Sequence, residues 1–273
     1  MKKTKVNYEK YSKEHSLYLK NKRKKSRVVR VSQIGFFAFL LAFWELAAKL
    51  KWIDPFIMSS PSRVWNTLLN LNSAGQLWSN VNFTLIETIS GFILGTIIGF
   101  IIAVIIWWSK FIFKVSEPYL VVLNALPKVA LGPIVIVWIG AGSASIIVMA
   151  LLVSVVISTL NILAGFKNVS TEKVFLMKSF GASKMQILLK LVIPANVSTI
   201  ISTLKINVGM SLIGVITGEF LVSSHGIGYL IVYGGQVFKL DLVMAGIFIL
   251  GIIASIMYMG VAKFESFYLK KRK

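Results

Sequence analysis

The chain has 273 residues, 56% of them hydrophobic, with two histidines, no cysteine and a formal net charge of +20. A mean hydropathy of +0.77 is far above that of a soluble domain, and the lack of cysteine excludes disulfides and thiolate metal sites. The charge does not mark a nucleic-acid-binding protein. Twelve of the 30 basic residues lie in residues 1–30 and most of the others flank apolar runs, which is how membrane topology is encoded.

Taken in order, residues 1–30 read as a basic cytoplasmic tail. It is too long and too charged for a cleaved signal peptide, and it suits a surface of anionic membrane lipid. Residues 31–273 read as an all-α membrane domain with six transmembrane helices, because six runs approach or exceed the ~20 residues a bilayer requires. They are 31–48, 83–108, 115–139, 144–166, 194–221 and 242–262. The second carries Gly91, Gly95 and Gly99, a stripe that lets another helix approach closely. The third is interrupted by Pro127 and by Gly132-Pro133. Backbone groups freed by proline survive at membrane depth only when buried in protein or facing a water-filled cavity, so this span is expected to face the interior.

Orientation follows from lysine and arginine. With the N-terminus inside, segments 1–30, 109–117, 167–193 and 263–273 hold 24 basic residues, and the opposite segments hold 4. Both termini and the loop 167–193 are therefore expected in the cytoplasm.

Ionisable residues within spans are functional candidates by default. Glu45 and Glu87 fall near outer span ends and are expected to snorkel, and Glu219 to pair with a neighbouring segment. Lys128 and Lys205 lie deeper; Lys205 is eleven residues past Pro194, about 16 Å at helical rise. Two deep cations would suit an anionic solute, which makes Asn124, Lys128, Lys205 and Asn207 candidate pathway residues. The alternative is structural pairing with carbonyls or with Asn124, Asn161 or Asn207. His15 and His225 have no carboxylate cluster beside them, so no metal site is expected.

No GxxxxGK[ST] phosphate loop and no nucleophile–base constellation occurs in the chain, so it reads as a transport subunit rather than an enzyme. Energy must then come from a gradient or from another subunit. The segment 172–194 bears on that choice. Ser170-Thr171 can cap a helix beginning near Glu172, and Gly181 breaks it. A second short helix is expected over 183–191, with Pro194 opening the fifth span. This helix–turn–helix bracket would expose Val174, Phe175, Phe180 and Met185. Such a patch calls for a soluble partner or for the membrane surface.

Gly181-Ala182, Val192 and Pro194, with glycine and proline thirteen apart, resemble the cytoplasmic coupling motif of membrane-spanning permease subunits in binding-protein-dependent ABC importers. Ser60-Pro61-Ser62, the run Pro127–Pro133 and Gly226-Ile227-Gly228-Tyr229-Leu230 are similar to the nitrate/sulfonate/taurine branch, and the resemblance covers residues 31–270. It implies ATPase coupling through Glu172, Phe175, Lys178, Phe180, Gly181, Ala182 and Pro194. It also implies an ABC ATPase dimer that holds ATP and Mg, an extracytoplasmic solute-binding protein, a second permease copy, most simply a homodimer, and the bacterial inner membrane. No cofactor is expected on this chain. The family's usual acid six residues before the glycine is replaced by Phe175, and its alanine by Met177, so Glu172 is only a substitute for that acid. The implied solute is a small sulfonate, taurine or nitrate-type anion. A vitamin-precursor permease and a gradient-driven secondary transporter are the alternatives.

Overall fold

The structure, a computed structural model, describes residues 13–271, and every regular element in it is helical. Residues 1–12 of the basic tail lie outside the described residues. The chain divides into two compact units, residues 1–64 and 65–273.

In the first unit, α1 (Lys13–Lys49) runs unbroken across residue 30, so residues 13–30 and the first span are one helix. Its 37 residues extend roughly 55 Å, well beyond the ~30 Å of a hydrocarbon core. The one-turn α2 (Pro55–Met58) starts at Asp54, whose carboxylate accepts the Phe56 N–H at 2.8 Å. Glu45 accepts both the N–H and the hydroxyl of Ser62, each at 3.0 Å, and pairs with Lys49 at 3.2 Å. The Ser-Pro-Ser motif thus pins the start of α3 (Pro61–Ser73) to the end of α1.

The second unit is built on α4 (Gln76–Trp108), α7 (Ser143–Lys167) and α11 (Val197–Val222). Lipid gives no hydrophobic drive for helices to associate, so close backbone approach through small residues has to supply it. The glycine stripe of α4 does this: Gly91, Gly95 and Gly99 meet Ala150, Ser154 and Ser158 of α7, a matching stripe at the same spacing. Gly214 and Gly218 of α11 press on Ala150 and Ile146 from the other side. Asn207, fully buried, donates to Thr96 Oγ1 at 2.9 Å and to Ser158 Oγ, tying the three helices together.

The third span differs from expectation. α5 (Lys110–Ala125) ends where Pro127 forces Leu126 into an extended conformation. After a 3₁₀ turn over Lys128–Leu131, α6 (Gly132–Ile139) restarts with a 90° change of direction. Only Leu120, Gly132 and Val135 of the pair are buried, and Val137 and Trp138 are about 80% exposed. Within one chain, this span lies on the outside. Among the described residues five helices are long and apolar enough to cross a bilayer, and the bent pair makes a sixth if it is one span.

Beyond α7 come α8 (Thr171–Ser179), α9 (Lys184–Ile187), a π-turn over Leu188–Val192 and the one-turn α10 (Ile193–Ala195), which lead into α11. The chain closes with α12 (Ile227–Gln236) and α13 (Leu240–Lys271). Here α13 runs past the expected end at residue 262 by more than two turns.

Candidate functional site

Two features of the second unit concentrate chemistry: the bracket between α7 and α11, and a polar cluster at the start of α12.

The bracket forms because each of its turns has the residue it needs. The Ser170 hydroxyl accepts the Lys173 N–H at 3.4 Å and caps α8. Glu172 in the first turn and Lys178 in the last are placed favourably for the helix dipole. At the C-terminus, Ala182 N–H bonds to Met177 O at 3.0 Å and Gly181 N–H to Lys178 O at 2.9 Å. This is a Schellman closure, and it requires the left-handed φ of +75° that Gly181 adopts. A Cβ there would have open space, so backbone conformation rather than crowding selects glycine. Ser183 then caps α9 reciprocally: its hydroxyl accepts Gln186 N–H at 3.3 Å while Gln186 Oε1 accepts Ser183 N–H at 2.7 Å.

Pro194 does not open the fifth span directly. It lacks an N–H and its ring crowds the carbonyl one turn back. The helix widens into the π-turn just before it, and the span proper begins at Val197. Buried Asn196 donates to Val192 O at 2.8 Å across this junction.

The bracket has two faces. Phe175, Leu176, Phe180 and Met185 are exposed, at 71%, 56%, 81% and 51%. Val174, expected beside them, is instead half-buried with Met177, because residues three apart on α8 share the inward face. That face sits on a cluster containing Ile187, Leu188 and Val192 of the bracket, Ala103 and Ile106 of α4, and Ile162, Leu163 and Phe166 of α7. The bracket is therefore packed against α4 and α7 as well as joined to α11.

The second feature draws its parts from three helices. Glu219, near the end of α11 and 1% exposed, accepts the Thr84 hydroxyl at 2.6 Å through Oε1 and the Gly228 N–H through Oε2. Thr84 Oγ1 in turn accepts Ile227 N–H at 2.8 Å, and Asn80 Oδ1 accepts Gly226 N–H at 2.7 Å. The first N–H groups of a helix have no partner inside it; here they are satisfied by side chains of α4 and α11. The Gly-Ile-Gly motif is explained by the same contacts, since a Cβ at Gly226 or Gly228 would collide with the Glu219 carboxyl. Sequence reasoning anticipated that Glu219 would pair with a neighbouring segment but not these partners. The available signal was an acid within a span followed by a Gly-x-Gly helix start. Glu87, expected to snorkel, is 4% exposed and lies beside Glu219 and Ser143.

The four pathway candidates fall in three places. The Lys128 ammonium bonds to the main-chain oxygen of Asn124, closing the C-terminus of α5, and the Asn124 side chain is exposed. Lys205 pairs with Glu265 of α13. Asn207 lies in the three-helix core. Both lysines thus have internal partners.

The chain matches the family model described as the binding-protein-dependent transport system inner membrane component over residues 95–265. It is 33% identical over 222 residues to a probable ABC transporter permease protein of Haemophilus influenzae, covering 81% of this chain and 90% of that one. It is 26% identical to the taurine transport system permease protein of Escherichia coli, covering 90% and 91%. A formylaminopyrimidine transport permease protein of Halalkalibacterium halodurans is 26% identical, covering 87% and 94%. Among solved structures, a bacterial ABC transporter involved in the import of alginate superposes with a TM-score of 0.64 at 14% identity, covering 90% of this chain and 98% of that one. The chain belongs to the family of inner membrane components of binding-protein-dependent transport systems. It is an ABC importer permease, a transport subunit and not an enzyme; ATP hydrolysis in these systems belongs to a separate subunit.

Proposed function

We propose that this chain is the permease of a bacterial inner-membrane importer, with both termini and the bracket in the cytoplasm. Two copies line the pathway, and their contact covers the exposed α5–α6 pair. An ABC ATPase dimer carrying ATP and Mg docks on the two brackets, and an external solute-binding protein delivers cargo from the other side. Glu172, Phe175, Lys178, Phe180, Gly181 and Ala182 form the docking face, and the turn at Pro194 passes its motion to α11. ATP-driven closure then moves the helices as rigid bodies between inward- and outward-open states.

The observation that carries this reading is the two-faced bracket: Phe175, Leu176, Phe180 and Met185 face outward, and Ile187, Leu188 and Val192 are locked into the transmembrane core. A loop with no partner has no reason to present large aromatics on one side and to be clamped on the other. Gly181→Trp tests it. Membrane insertion should persist while ATPase co-purification and ATP-driven uptake in proteoliposomes are lost; normal uptake would overturn the assignment.

For the solute, the taurine relative supports a small sulfonate-type anion, and the formylaminopyrimidine relative supports a vitamin precursor as the second reading. Competition for uptake by taurine against a pyrimidine precursor separates them.

A further inference from the structure

A cavity of about 370 Å³ opens between the α4–α5 corner, the end of α7 and the bracket. Four lysines line it, Lys110, Lys167, Lys178 and Lys184, and no acidic residue does among the described residues. Its walls are aromatic and aliphatic, with Trp107 and Trp108 at the corner where α4 ends. Two of the lysines are already held in place. Lys184 donates to the main-chain oxygen of Trp108, and Lys167 stands 3.7 Å over the Phe113 ring. An ammonium has three donors, so Lys184 keeps two for an incoming group. Four like charges around a partly enclosed space create a potential that an anion relieves. Tryptophans beside them at a span end mark the depth of lipid headgroups, and basic pockets between spans are suited to phosphate-bearing headgroups.

We propose that this pocket binds a phosphate-bearing anion, with Lys110, Lys167, Lys178 and Lys184 around the phosphate and Trp107 and Trp108 against its apolar part. The four lysines come from α5, α7, α8 and α9, so the occupant bridges the ends of the spans to both arms of the bracket. It acts as a brace on the segment through which an ATPase would push. The proposal rests on the permease reading only for this last role. Binding itself needs neither ATPase nor solute.

The test uses the full chain in phosphatidylcholine nanodiscs. One arm adds brominated phosphatidylglycerol, with brominated phosphatidylcholine as control, and reads tryptophan quenching and the unfolding midpoint. The other adds inorganic phosphate and reads the midpoint alone. A response to the lipid identifies a headgroup as the source, and a response to phosphate identifies a free anion. In either case K110Q/K167Q should weaken binding about tenfold or more, whereas K239Q, on a distant loop, should not. Because K167Q also removes the contact with Phe113, each ligand response is read against the variant's own midpoint without ligand. No response in either arm, or a response that K110Q/K167Q leaves unchanged or K239Q reduces equally, overturns the site. A failure here leaves the Gly181→Trp experiment free to succeed.

Discussion

Thr84 on α4 donates its hydroxyl to Glu219 on α11 at 2.6 Å and at the same time accepts the N–H of Ile227 at 2.8 Å. One hydroxyl therefore joins three helices, at a point where Thr84 and Glu219 are both fully buried. Thr84→Val keeps the shape and removes both bonds, leaving a buried N–H and a buried carboxyl oxygen short of a partner. A stability loss of about 2 kcal/mol is expected, read as a lower unfolding midpoint in detergent. Glu219→Ala should cost more, since it strips both Thr84 and Gly228 of their acceptor. Gly228→Ala should also destabilise, because its Cβ would come within 2.7 Å of Glu219 Oε2.

The glycine stripe makes a second prediction. A Cβ at Gly91 would lie 2.6 Å from the Cβ of Ala150, far inside van der Waals contact. Gly91→Leu must push α4 away from α7, at a cost of roughly 1–3 kcal/mol or more. It should appear as a broadened, aggregated elution profile and faster proteolysis. Ile93→Leu, two residues on and exposed on the surface of the chain, should leave both unchanged.

These two sites differ in how far the sequence exposes them. The spans were legible because a bilayer imposes a length and a composition, and the stripe because its spacing of four repeats on one face. Gly181 was legible because its helix stop is local, and so was the Ser170 cap. The Thr84–Glu219 bond was not, because its partners are 135 positions apart and nothing in either neighbourhood names the other. The bend after α5 was legible as an interruption at Pro127, but not its 90° angle nor the side of the chain it faces. Lys205 illustrates the limit most clearly. Counting from Pro194 gives its position along the span but not its partner, because α13 runs on far enough to bring Glu265 beside it.

The outer face of the bracket should be separable from its inner face. Phe180 and Phe175 touch solvent over most of their surface, so Phe180→Ala and Phe175→Ala should leave the unfolding midpoint within about 0.5 kcal/mol of the parent. Each should reduce ATPase co-purification several-fold, since buried aromatic anchors dominate interfaces. Leu188→Ala is the opposite case: 3% exposed within the cluster that joins the bracket to α4 and α7, it should lower stability by about 2–4 kcal/mol. Pull-down with the ATPase and a thermal melt, run side by side, distinguish the two.

Lys205 and Glu265 make the last prediction, and it decides between two roles for a basic residue within a span. Their carboxylate–ammonium pair is about three-quarters shielded from solvent on both sides. If the lysine serves α11–α13 packing, Lys205→Glu alone should place two acids together and destabilise, and Lys205→Glu combined with Glu265→Lys should recover most of the loss. The double-mutant cycle should show coupling that favours opposite charges at the two positions. Transport then follows the fold: the reversed pair should import solute nearly as well as the parent. If instead Lys205 meets an anionic solute, the reversed pair will fold yet fail to transport, because the positive charge has moved to α13. Since Lys205 already has a partner in Glu265, recovery of both stability and uptake is the expected result.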